Sequence, residues 1–224
     1  MKRILLPVFT LVVLVFVGVF ITKLFYISDA GAIKKGSQYL TERKSLKEGD
    51  IIFQISLSSQ SQAIQKATKS LYSHCGIIYK NKDEFYVYEA VQPVKLTSLD
   101  KWIARGKDKH YVVKRLKDAD NILTLKTLAK MKREGEKFMG KNYDLTFEWS
   151  DEKMYCSELI WKIYKRAANI EVGKLQKLRE FDLTDKVVKQ QIKEHYGNNI
   201  PMNETVISPA SIFDSELLTE VDSN

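Results

Sequence analysis

At 224 residues the chain is long enough for one domain with an appendage and for a sizeable buried core. An apolar share of 44% and a charged share of 29% exclude a collagenous, disordered or polytopic membrane chain. With 36 basic and 28 acidic residues the net charge is +8, and two cysteines are too few for a disulfide scaffold or an all-cysteine zinc site.

Met1-Lys2-Arg3 is a short basic start, and residues 4–22 carry no charge and are mostly Leu, Val, Ile and Phe. After Lys23 the apolar character resumes through Leu24-Phe25-Tyr26-Ile27. Such a run crosses a hydrocarbon core of roughly 30 Å as a helix, and basic residues ahead of it keep the N-terminus cytoplasmic. The remainder is then extracytoplasmic. Two readings fit: an uncleaved anchor, or a signal cut after Ala30-Gly31-Ala32. We divide the chain into an anchor or signal at 1–27, a linker at 28–45 and a folded domain at 46–224. The basic residues beyond the linker are scattered. They fit plain solubility or an anionic membrane or cell-wall surface, and no aromatic-interleaved patch points to nucleic acid.

Leu46 to Asp50 reads as a turn into a strand at 51–55, followed by a Ser/Gln-rich loop at 56–62 and a short helix at 63–70. Strands are predicted at 74–79 and 85–90 with a turn at 81–83, which makes a hairpin. A short helix at 99–104 precedes a charged turn at 106–109 and a strand at 111–116. Helical periodicity covers 121–138, stopped by Gly140, then 154–168, then 184–195, ended by Gly197. The segment from Pro209 reads as short helix or irregular chain with an acidic tail. Strands clustered ahead of the longest helices predict an α+β fold, an antiparallel sheet packed with helices and preceded by one N-terminal hydrophobic helix.

Cys156, in Tyr155-Cys156-Ser157-Glu158-Leu159, lies within about a turn of the helix start, with Ile160, Ile163 and Ala167 on its face. It reads either as a small buried core residue or as a nucleophile whose thiolate the helix N-terminus stabilises. A nucleophile needs a base. His195 reads as a helix-end cap, and His110 follows the charged turn. His74 opens an apolar strand in Ser73-His74-Cys75-Gly76, where Gly76 leaves room for another strand or a substrate. A hairpin turn centred on 82–83 pairs Gly76 with Glu89 and sets Glu89 diagonal to His74 on one face. There Glu89 either orients the imidazole or faces solvent as an edge-strand carboxylate. Cys75 points opposite to His74, which argues against Cys75 as the nucleophile and against a Cys75–Cys156 disulfide. No motif of metal-ligand spacing is present, and no metal or cofactor is expected.

The segments Leu46-x-x-Gly49-Asp50-Ile51-Ile52-Phe53, Tyr72-Ser73-His74-x-Gly76-Ile77, Val87-Tyr88-Glu89-Ala90, Tyr143-Asp144 and Tyr155-Cys156-Ser157-Glu158-Leu159 together resemble the YiiX/YaeF-like enzymes. These are circularly permuted papain-fold cysteine hydrolases of the NlpC superfamily. The resemblance implies a permuted papain-like (NlpC-type) catalytic domain over 46–224. It implies Cys156 as nucleophile, His74 as base and Glu89 as orienter, acting on an amide or ester bond of a peptide-, cell-wall- or lipid-derived substrate. The backbone N–H of Cys156, with Tyr155 or Tyr72, would hold the oxyanion. Lipid-directed acyl transfer or thioester cleavage through the same residues, and a silent membrane-anchored binding module, are the alternatives. Family members are typically exported or membrane-associated, in keeping with the N-terminal segment.

Overall fold

The computed structural model describes residues 45–224, of which Leu46–Asn224 form one compact unit. The anchor or signal and the linker expected ahead of it lie outside the described residues. Among the described residues no helix is long and apolar enough to cross a membrane.

In chain order the elements are β1 (Ile51–Ser56), α1 (Ser61–Thr68), β2 (His74–Asn81), β3 (Glu84–Glu89), β4 (Lys95–Ser98), α2 (Leu99–Ala104) and β5 (Gly106–Leu116). Then come α3 (Ala119–Ile122), α4 (Leu125–Glu136), α5 (Cys156–Ala168), β6 (Gln176–Lys177), α6 (Lys186–Tyr196), β7 (Thr205–Val206), α7 (Pro209–Phe213) and β8 (Leu218–Ser223). The main sheet runs β4-β3-β2-β1-β5-β8 with every neighbouring pair antiparallel. A second, two-stranded sheet pairs β6 with β7.

The period-2 alternation of the strands builds two cores. Cys75, Ile77 and Tyr79 of β2 face the side on which α5 packs, joined by Phe53, Tyr88, Ile160 and Ile163. Ile78 faces the other side, with Ile52, Val87, Leu99, Trp102 and Val113. Most of α5 is buried, including Ser157 and Glu158. The Glu158 carboxylate lies 2.7 Å from the Lys162 ammonium. Burial still pushes its pKa up to about 8, against the pull of Lys162 and of the Tyr155 N–H.

The Gly49-Asp50 turn is structural. Gly49 sits at φ +90°, a conformation side chains rarely adopt, and Asp50 accepts from Arg115 Nε and Nη2, both at 2.7 Å. Four segments depart from the sequence expectation. The predicted helix at 121–138 is split by Thr124, whose hydroxyl caps α4 through the Thr127 N–H. The charged stretch 106–109 belongs to β5 as an irregular run with Asp108 and Lys109 at positive φ, at the place where the β1–β5 register shifts. The short β4 pairs with β3. The acidic tail forms β8 on the sheet edge, where Lys114 of β5 stands opposite Glu220.

Candidate active site

Cys156 is the first residue of α5, after Tyr155 in extended conformation. Its N–H belongs to the first turn, where no carbonyl lies four residues back to accept it. Ser157 Oγ donates to the Ile207 carbonyl at 2.8 Å, and the Ile207 N–H donates to Tyr155 Oη at 3.2 Å. The start of the helix is therefore tied to the 206–208 segment on both sides of Cys156.

The β2–β3 hairpin pairs Ile77 with Tyr88 and Asn81 with Glu84, the register a turn at 82–83 demands. That register brings His74 Nε2 to 2.7 Å from Glu89 Oε2. Gly76 makes the approach possible. A Cβ there would collide with the Val87 side chain and lie 2.9 Å from the Tyr88 carbonyl oxygen. The room it leaves is filled by β3, not by a substrate. Glu89 is fully buried, so the solvent-facing alternative for it does not hold. Its Oε2 also accepts from Trp102 Nε1 at 3.0 Å and from Arg105 Nη2, and its Oε1 accepts from Thr97 Oγ1 at 2.5 Å. Trp102 stacks on the imidazole, with centroids 5.9 Å apart.

With Nε2 given to Glu89, His74 has Nδ1 left for the thiol. Burial alone would lower the His74 pKa, but hydrogen bonds to Cys156 and Glu89 and their charges raise it to about 9. Burial likewise opposes the charge on Glu89, yet His74 and Arg105 hold it down at about 2. The Cys156 thiol is held well below its ordinary value, first by a hydrogen bond from the Cys75 thiol and then, against burial, by His74. Burial, together with the bond to Cys156, pushes the Cys75 thiol well above its ordinary value. The directions agree on a thiolate–imidazolium pair. Cys75 does point away from His74, as strand parity requires. But the face it occupies is the one that carries α5, so the two thiols are neighbours, contrary to the separation argued from side-chain direction. Both are free.

Cys156 opens onto a narrow cleft of about 100 Å³ with an almost wholly apolar lining, including Ile64, Phe147, Leu183, Val188 and Ile192. His74 and Arg105 line an adjoining cleft of mixed character, with Ser56, Ser58 and Gln92 beside Ile64, Val91 and Leu145. Tyr143 and His195 line both. Burial, then the negative charge of the nearby Cys156, pushes the Tyr143 phenol well above its ordinary value, so it stays a protonated O–H donor at the junction.

Neither tyrosine suggested by the sequence as an oxyanion donor is well placed for it. Tyr155 lines the apolar cleft, but its hydroxyl is engaged by Ile207. Tyr72 lines neither cleft; it packs on Phe53 and Phe213 and stacks with His110, whose Nδ1 meets the Asn224 carbonyl oxygen. His195 ends α6 as expected, yet it also reaches the cleft rim, 3.2 Å from Gln60 Nε2. Sequence reasoning gave no roles to Tyr143, Trp102, Arg105 and Thr97. Their one signal is position: Trp102 and Arg105 stand three apart around the end of α2, and Tyr143 begins a quoted family segment. Among the described residues no group of three or more His, Cys, Asp or Glu side chains could hold a metal ion.

Comparison with known proteins adds the context. Residues 45–222 match the family described as "Permuted papain-like amidase enzyme, YaeF/YiiX, C92 family". The uncharacterized protein YiiX of Escherichia coli (strain K12) is 49% identical over 173 residues, which cover 77% of this chain and 84% of that protein. A crystal structure described as metalloprotein yiiX from Escherichia coli O157:H7 is similar with a TM-score of 0.76 and 47% identity, over 80% of this chain and 98% of that one.

Proposed function

Since the chain belongs to the permuted papain-like amidase family, we propose that it is a cysteine hydrolase that cleaves an amide or ester bond through Cys156, His74 and Glu89. The observation that carries this reading is the His74 imidazole, 2.7 Å from the buried Glu89 carboxylate and bonded on its other side to a thiol at a helix start. In the first half-reaction the Cys156 thiolate attacks the substrate carbonyl carbon. The oxyanion gathers donors from the Cys156 N–H and the Tyr143 hydroxyl. His74 gives its proton to the departing nitrogen or oxygen, and a thioester remains on Cys156. In the second half-reaction His74 takes a proton from water, hydroxide attacks the thioester, and the acid leaves with the thiolate restored. Glu89 holds the ring with Nδ1 toward the sulphur throughout.

The apolar cleft at Cys156 supports an acyl group of hydrocarbon character, and the mixed cleft at His74, with Ser56, Ser58, Gln92 and Arg105, offers polar partners to a leaving group. This favours a lipid-derived amide or ester over a peptide. It also keeps acyl transfer to an amine or alcohol as the second reading, because an acceptor in the cleft at His74 would replace water. The O157:H7 relative is described as a metalloprotein. The described residues here form no metal-binding set, so no step is routed through a metal. We further propose that the domain works outside the cytoplasm, behind the apolar N-terminal segment. Incubation with p-nitrophenyl octanoate followed by intact-mass measurement tests the chemistry. An octanoyl adduct mapped to Cys156 and absent from Cys156→Ala is expected. Undiminished turnover in Cys156→Ala refutes the reading.

A further inference from the structure

Arg105 follows α2 and meets the same carboxylate oxygen as the imidazole. Its Nη2 donates to Glu89 Oε2 and lies 3.4 Å from His74 Nε2. His74 Nε2 carries the hydrogen that Glu89 accepts, so this approach sets two N–H groups against each other. Glu89 Oε2 therefore serves three N–H donors: His74, Trp102 and Arg105. Among the described residues that line the cleft shared with His74, Arg105 has the one permanent positive charge.

We propose that Arg105 is a positioning residue that shares the Glu89 carboxylate with His74 and thereby keeps His74 able to act as a base in the hydrolytic half of the reaction. The proposal rests on the acyl-enzyme reading above. The two half-reactions ask opposite things of the imidazole. Acylation begins from the thiolate–imidazolium pair, with His74 charged between two anions. Once Cys156 is a thioester its sulphur carries no charge, and His74 must be neutral to take the proton of water. A fully buried Glu89 acting alone would hold the imidazolium and stall that step. A guanidinium at 3.4 Å opposes the imidazolium by like-charge repulsion and occupies part of the shared oxygen.

The other charged or titratable groups about His74 do not supply this opposition: Lys95 of β4, the sheet partner of Glu89, is exposed and does not line the cleft. Glu89 from β3 and Cys156 from α5 both favour the proton on His74, and Cys75, next to His74 in β2, stays a neutral thiol. Across the cleft stand Tyr143, a phenol that stays protonated, and Glu194 and His195 of α6. Glu194 is bonded to the amides of Gln190 and Gln191, and His195 to Gln60.

The test is stopped-flow hydrolysis of p-nitrophenyl octanoate by the full chain across pH. The unmodified protein should show a burst of nitrophenolate followed by a slower steady rate set by deacylation. Arg105→Gln should keep the burst amplitude, which also counts folded sites. Its steady rate at neutral pH should fall about 10-fold, because the acid limb of the steady-state profile moves up by about one pH unit. The two profiles should meet at alkaline pH, and Arg105→Lys should return the limb to its original place. An equal fall at every pH with the limb unmoved, or a lowered burst with unchanged limb, assigns Arg105 a merely structural role and overturns the proposal. Absence of any burst in the unmodified protein overturns the acyl-enzyme reading itself, and the proposal with it.

Discussion

Replacing Glu89 by Gln is the sharpest perturbation of the site, because it removes a charge with almost no change of volume. The amide has one orientation that keeps the geometry. Its oxygen takes the place of Oε2, still facing His74, Trp102 and Arg105, and its NH₂ replaces Oε1 and donates to a turned Thr97 hydroxyl. What is lost is the charged character of three N–H bonds. A bond to a charged group contributes roughly 1.5–3 kcal/mol and a neutral one roughly 0.5–1.5, so each N–H bond loses about 1 kcal/mol. Arg105 is 36% exposed and can turn to water, which trims the total to about 2 kcal/mol. The complete burial of Glu89 is what gives the exchange a folding cost beside its catalytic one.

The cost also depends on pH. Glu89 is depressed to about 2, so its contribution is complete above the unfolded value near 4.3 and vanishes as pH falls toward 2. His74 is raised to about 9, so its contribution is complete below about 6.5 and is lost as pH rises through 9. The gap between the two proteins in urea unfolding should therefore be widest between about pH 4.5 and 6.5. Turnover of p-nitrophenyl octanoate should drop on the order of 10²–10³, below the roughly 10⁴ of a serine triad because a Cys–His pair keeps some thiolate without its third member. Full turnover in a folded Glu89→Gln protein, or a stability gap that does not narrow toward pH 2, refutes the reasoning.

At mildly acidic pH iodoacetamide should modify Cys156 well before Cys75, and His74→Ala should remove that preference; equal slow modification of both thiols contradicts a thiolate at Cys156. Tyr143→Phe should lower turnover about 10²-fold with Cys156 still reactive, as removal of one oxyanion donor does, and an unchanged rate would leave the backbone N–H of Cys156 as the donor. Mass spectrometry of the N-terminus of the exported protein should find either Met1 or Ile33, an anchor or a cleaved signal, and a purely cytoplasmic protein starting at Met1 would contradict export.

Most of the fold was legible because local rules decide it. The 82–83 turn sets the β2–β3 register, Gly49 and Gly140 mark turns at positive φ, and α2 lies where its pattern predicts. The segments that escaped are those whose structure comes from partners. The Leu218–Ser223 tail has no strand pattern of its own strength and becomes β8 because the edge of β5 offers unpaired backbone. Residues 106–109 read as a turn because Asp108 and Lys109 do adopt turn-like φ, yet the flanking β1 keeps them within the sheet.

The candidate site divides along the same line. The places of Cys156, His74 and Glu89 were legible because each sits in an element whose period fixes its direction, and one hairpin register relates two of them. Cys75 shows where that logic stops. Parity tells which face of β2 a side chain takes, but not which helix will cover that face. Only the packing of α5 against the Cys75 side makes the two thiols neighbours, and that neighbour becomes the largest single influence holding the Cys156 thiol low. Trp102 and Arg105 are further from sequence inference still, because Trp102 belongs to the opposite core and Arg105 follows the same helix, and both reach Glu89 from the side of the sheet away from Cys156. Glu89 is thus the point where the two sides of the sheet act on one another. Through His74, a change on the second side, such as Arg105→Gln, can alter the proton balance of a thiol on the first without touching it.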